Sequence, residues 1–134
     1  AVPVYVASQL AGALAASGAL RALFPSHETL GATSPAGTAA QSFVFEFVMT
    51  AMLMYVILAV ATGPKEKGVM AGIAVGGVIA FEALFGGPIS GASMNPARSL
   101  APAVAAGAYD ALWIYLAAPV LGASVAVVAF RLIG

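Results

Sequence analysis

Cysteine is absent from this chain of 134 residues, which excludes disulfides, thiolate nucleophiles and cysteine-ligated metals. Charge is scarce as well. Asp, Glu, Lys and Arg together make up 7% of the residues, five acidic and five basic, against roughly a quarter in soluble domains. With no excess of either sign, nothing points to nucleic acid or to anionic partners in general. The single histidine, His27, lies in a polar stretch and reads as a solvated side chain. No nucleophile–base pair and no cluster of metal-ligating residues is visible, so catalysis, a metal and a cofactor are not expected. What fills the chain instead is apolar: 62% hydrophobic residues and a mean hydropathy of +1.03. That is the composition of a membrane protein.

Four apolar runs are long enough to cross a hydrocarbon core of ~30 Å, which takes roughly 20 helical residues. They cover residues 1–24, 39–63, 68–86 and 111–134. The chain begins at Ala1 without a methionine and with no basic stretch before its first run, so that run reads as a span in an incomplete piece rather than as a signal peptide. A loop of Pro, Ser, Gly and Thr occupies 25–38, and "GPKEKG" makes a tight polar turn at 63–68. Lys65 and Lys67 in that turn, with Arg131 at the end of the last span, put three basic residues on one face. The positive-inside rule makes this face and the C-terminus cytoplasmic and leaves the 25–38 loop outside. Small residues at four-residue spacing (Ser8/Gly12/Ala16, Gly72/Gly76 and Ala118/Gly122) predict close helix packing. Tyr109, Trp113 and Tyr115 suit an outer aromatic belt.

Between the third and fourth runs stands "GGPISGASMNPARSLAPAV", residues 86–104. It is rich in turn residues yet neither polar nor short. Asn95 is a good N-cap, Pro96 suits the first helical position, and the helix they open can run to Gly107. A dozen residues at ~1.5 Å each reach about 18 Å, little more than half the core. The spacing therefore predicts a re-entrant loop and half-helix over 87–107. Irregular backbone at that depth is tolerated only when buried in protein or lining a watery cavity, so Gly86, Gly87, Pro88 and Gly91 imply an extended loop facing a pore. The half-helix brings unpaired N–H groups and about half a positive charge to mid-membrane, while Asn95 can donate its side-chain NH₂ to a passing oxygen. Arg98 adds a permanent charge whose presence in a membrane segment implies function.

"SGASMNPARSLAPAV" resembles the second Asn-Pro-Ala signature of the aquaporin, or major intrinsic protein, family. The likeness extends to "QSFVFEFVMT", similar to the family's fourth helix with its buried glutamate, to "YVASQLAGA" of the third and to "ALWIYLAAPVLGA" of the sixth. Within the family, "GGPISGASMNPARSLAP" most resembles the nodulin-26-like branch and its bacterial relatives. The resemblance implies a single all-α membrane domain over 1–134, with four transmembrane helices and one re-entrant half-helix. These correspond to helices three to six of a six-helix channel, without the first two helices and the first half-helix. It implies that Asn95, Pro96 and Ala97 form the pore signature, and that Arg98, Ala92 and Ala83 contribute to the selectivity filter. Gly91, Ser93 and Met94 would form the pore-lining loop, and Glu46 would support it by hydrogen bonds. Glu82, about 100° around the helix from Ala83, is expected to brace loop backbone. Implied partners are small uncharged solutes, water, the lipid bilayer, the N-terminal half of the channel and three further copies in a homotetramer.

The expected function is a passive channel for glycerol-like polyols or hydroxylated metalloid acids, with water, that excludes ions and protons. A water-selective aquaporin is the alternative. A secondary transporter also uses broken helices at the midplane but needs coupling carboxylates there, for which only Glu46 and Glu82 are available.

Overall fold

The computed structural model describes residues 1–62 and 69–133; the turn carrying Lys65 and Lys67 lies outside them. It contains five helices and, among the described residues, no strand: α1 (Val2–Leu23), α2 (Ala39–Thr62), α3 (Val69–Ser90), α4 (Pro96–Ala106) and α5 (Leu112–Ile133). Four of them are long and apolar enough to span a bilayer. α4 is not. Its 11 residues span ~16 Å at ~1.5 Å per residue.

Side-chain size decides how the spans assemble. α5 packs along α2, α3 covers another face of α2, and α4 lies between α5 and α1. The neighbours therefore run α3, α2, α5, α4, α1. At the α2–α5 seam the small pair Ala118/Gly122 is buried, and a Cβ on Gly122 would collide with the carbonyl oxygen of Phe47. Backbone meets backbone there because glycine leaves nothing between them. The other two small-residue stripes do not meet a neighbouring helix: a Cβ on Gly12, Gly72 or Gly76 would touch nothing within 4 Å.

α2 and α3 run antiparallel, with Ser42 Oγ donating to Ile89 O at 3.4 Å and Met49 set against Gly86. α3 is longer than its glycines and proline suggest. It continues through Gly86, Gly87 and Pro88 to Ser90 instead of giving way to extended loop at Gly86. Pro88 removes one N–H, but the ladder resumes beyond it, where Gly91 N–H donates to Gly87 O at 2.9 Å. In an apolar setting with no competing water, helix is the cheapest way to satisfy these backbone groups. The non-helical connection is thereby reduced to Gly91–Asn95.

Candidate functional site: the α3–α4 turn

Three residues in this turn have left-handed backbone: Gly91 (φ +86°), Ala92 (φ +43°) and Met94 (φ +53°). Glycine adopts that region freely, whereas alanine and methionine do so at a cost. Glu46, fully buried on α2, offsets that cost. Its Oε1 accepts from Ser90 Oγ (2.7 Å) and from Ser93 N–H (2.9 Å), and its Oε2 accepts from Met94 N–H (2.7 Å). From the other side Tyr115 Oη donates to Ser90 O at 2.6 Å. Two helices thus grip the turn by its main chain, from a carboxylate and a phenol.

α4 opens with Asn95 as its N-cap and Pro96 at the first position, and it closes on Gly107 at φ +71°. The Asn95 Oδ1 accepts from Ala97 N–H (2.9 Å) and Arg98 N–H (3.4 Å). This fixes the amide plane and leaves the NH₂ without a partner among the described residues. Asn95 is exposed and lines two cavities of about 390 Å³ each. One also takes in Met94, Thr50 and Pro96; the other takes in Ala97 and Arg98; and Gln9 of α1 lines both. The Arg98 guanidinium is exposed and donates through Nη1 to Gly31 O at 3.4 Å.

Arg98, Asn95 and Ala97 therefore share one cavity wall. Ala83, exposed on α3, is not on that wall, and Ala92 is buried. Ser93 is buried too: its hydroxyl donates to Asn95 O at 3.0 Å, and it turns away from the cavities. Met94 faces both ways, packing with Met49 and Ala92 while bordering the cavity it shares with Thr50 and Pro96. Glu82 does not brace the turn. It is fully buried, and neither carboxyl oxygen has a hydrogen-bond partner among the described residues. The reason is the extra length of α3, which puts the start of the turn about 13 Å along the helix from Glu82 at ~1.5 Å per residue.

A family model described as "Major intrinsic protein" matches residues 1–130. The chain belongs to the major intrinsic protein family. Nodulin-26 of Glycine max is 54% identical over 123 residues, 91% of this chain and 45% of that protein. Aquaporin NIP1-3 of Oryza sativa subsp. japonica is 50% identical over 135 residues, covering 98% of this chain and 46% of its own length. Aquaporin NIP6-1 of Arabidopsis thaliana is 45% identical over 122 residues, 91% and 40%. This chain thus falls on the family's nodulin-26-like branch and spans about half the length of the curated relatives it matches. With four span-length helices and this family, it is an integral, multi-pass membrane protein with a partial aquaporin fold.

Several residues that hold the turn or the far end of α4 carry little sequence signal. Tyr115 is fully buried against Ser90 instead of joining the interfacial belt, because it lies on the α5 face turned to α2 with Ile114 and Ala118. Trp113 and Tyr109 remain exposed. Arg21 donates to Ala105 O from Nε (3.2 Å) and Nη2 (2.7 Å), and through Nη1 to Pro25 O and His27 O. It supplies a cation at the α4 C-terminus, where unpaired carbonyls and the helix dipole favour one. His27, exposed as a solvated histidine would be, also accepts at Nδ1 from Leu30 N–H at 3.1 Å. An arginine in the last turn of a helix, as Arg21 is, was the one available cue.

Proposed function

We propose that this chain forms half of a passive transmembrane channel for small neutral solutes, namely glycerol-like polyols or hydroxylated metalloid acids such as arsenous, boric or silicic acid, together with water. One observation carries the reading: an oriented, unpartnered Asn95 NH₂ at the start of a helix too short to span, between two cavities. A solute oxygen arriving there meets a donor whose geometry is already fixed, and it exchanges a hydration bond for a protein one with little reorganisation. Ions fare differently. The positive end of α4 and the Arg98 guanidinium raise the cost of a cation or hydronium.

In this reading Asn95, Pro96 and Ala97 meet the matching triplet of the other half of the channel, and Arg98, Ala92 and Ala83 contribute to the filter. Gly91, Ser93 and Met94 supply the loop between them, held by Glu46. The turn at 63–68 and the C-terminus face the cytoplasm, and the 25–38 loop lies outside. Exposed apolar side chains on α2 and α3, among them Val44, Phe81 and Leu84, are suited to lipid or to neighbouring copies in a homotetramer.

Ala83 and Ala92 are methyl-sized, which leaves a constriction wider than water requires. In the whole channel that carries this segment, Ala83→His should cut glycerol or boric acid flux strongly and water flux weakly. Stopped-flow swelling of vesicles measures both. Equal loss of the two fluxes, or a wild type that passes only water, would replace the wide-filter reading with a water-selective aquaporin.

A further inference from the structure

Three buried or half-buried hydroxyls, Thr33, Ser99 and Ser93, connect the loop between α1 and α2 to the α3–α4 turn. Thr33 Oγ1 donates to Ser99 Oγ at 2.7 Å, and Ser99 Oγ is hydrogen-bonded to Ser93 Oγ. Ser93 Oγ in turn donates to Asn95 O (3.0 Å) and accepts from Asn95 N–H (3.4 Å). Each hydroxyl has one proton to give. If Ser93 gave its proton to Ser99, Ser99 would accept twice and its own proton would have no acceptor among the described residues, although Ser99 is 0% exposed. Only one direction satisfies every member: Thr33 to Ser99, Ser99 to Ser93, Ser93 to the carbonyl of Asn95. Such a one-way chain strengthens each of its bonds and tolerates no missing link.

Its outer end sits beside Arg98. Gly31 accepts from the Arg98 guanidinium and Thr33 donates to Ser99, so two residues of the loop, two positions apart, meet two consecutive residues at the start of α4. Thr33 also packs on the turn itself, since a Cβ on Gly91 would lie 3.1 Å from its Cγ2. The loop is fastened below by Ala36 N–H donating to Ile89 O at 2.9 Å. The Arg98–Gly31 bond is long and exposed, whereas the Thr33–Ser99 bond is short and partly buried. The second therefore fixes the spacing that the first depends on.

We infer that Thr33 is a positioning residue for selectivity: its hydroxyl holds the outer loop in register with α4, so that Arg98 is drawn aside onto Gly31 O and the constriction stays open to solutes larger than water. This inference rests on the channel reading above. Without the Thr33 hydroxyl the loop carbonyl retreats, and the freed guanidinium samples the lumen. Water still passes beside it; a polyol passes less readily.

The test compares Thr33→Val, nearly isosteric but without the hydroxyl, with Thr33→Ser, which keeps it, in the whole channel reconstituted into vesicles. Glycerol and water permeabilities are read by stopped-flow light scattering. The glycerol-to-water ratio should fall about fivefold in Thr33→Val, the population change expected from losing one neutral hydrogen bond. Thr33→Ser should stay close to wild type. Ser99→Ala removes the same link from the α4 side and should match Thr33→Val, so misfolding of one variant leaves the test standing. A destabilised protein with an unaltered filter would lose both permeabilities together, because the ratio does not depend on how many channels are folded. An unchanged or raised ratio, or a Thr33→Ser variant as impaired as Thr33→Val, overturns the inference. A wild type that passes neither glycerol nor water overturns the channel reading itself.

Discussion

Removing the Glu46 carboxylate should loosen the α3–α4 turn by an amount that the structure sets. Its two oxygens take three hydrogen bonds, two of them from the main-chain N–H groups of Ser93 and Met94. Those bonds oppose the left-handed strain at Ala92 and Met94, about 1–2 kcal/mol at each. Glu46→Leu leaves both N–H groups buried and unpaired, at roughly 1–3 kcal/mol each, or about 2–6 kcal/mol in all. Glu46→Gln keeps one carbonyl oxygen, which serves Ser90 and Ser93, and turns an NH₂ toward the Met94 N–H, so it loses about half as much. Thermal unfolding of the whole channel in detergent measures both. At ~2–4 °C per kcal/mol for a domain of this order, Glu46→Gln should lower the midpoint by about 5 °C and Glu46→Leu by about twice that. A Glu46→Leu midpoint within ~2 °C of wild type, or a Glu46→Gln variant as damaged as Glu46→Leu, would mean that the turn is carried by its own backbone and the clamp reasoning is wrong.

Two further outcomes test other parts of the molecule. Gly122→Ala should destabilise the channel by about 1–3 kcal/mol, the usual cost of overpacking, because its Cβ would meet the Phe47 carbonyl across the α2–α5 seam; Gly12→Ala, where nothing lies within 4 Å, is the control and should not lower the midpoint in the same melt, since alanine is the better helix former. Arg98→Val should preserve or raise solute flux while admitting a proton leak, since one of two positive barriers is gone; current recorded under a proton gradient checks this, and an unchanged leak would reduce Arg98 to a structural residue.

The helix ends of α4 were legible in the sequence because their chemistry is local. An asparagine before a proline, and a glycine eleven residues past that proline, specify a cap, a first turn and a left-handed stop without reference to any other segment. The end of α3 was not legible by the same logic. Gly86, Gly87 and Pro88 break helices in water, where the freed backbone can be solvated, but beside α2 in an apolar setting they continue one. Tyr115 shows the same limit: an aromatic near a span end suits either an interface or a buried carbonyl, and only the rotation of α5 against α2 chooses between them. A buried glutamate on α2 was visible as a support, but its partners were not, since Ser93 and Met94 lie 47 and 48 positions away. The Thr33–Ser99 bond, between residues 66 apart, joins two common side chains with no distinguishing context in the sequence.

Because Glu46 binds the turn through the N–H groups of residues 93 and 94, its hold is indifferent to the side chain at position 94. Met94 borders the cavity beside Asn95, and an unbranched side chain of similar bulk, which its packing on Met49 and its positive φ require, can replace it while the carboxylate keeps the same donors. In the proposed channel, anchoring and lining are thus separable: what passes can be retuned at position 94 within those packing limits while the fastening stays constant. Position 93 lacks that freedom, since its hydroxyl is itself a link to Asn95 and Ser99. Variation among channels built this way should therefore concentrate at 94 and thin out at 93, two neighbours in the chain with opposite latitude for change.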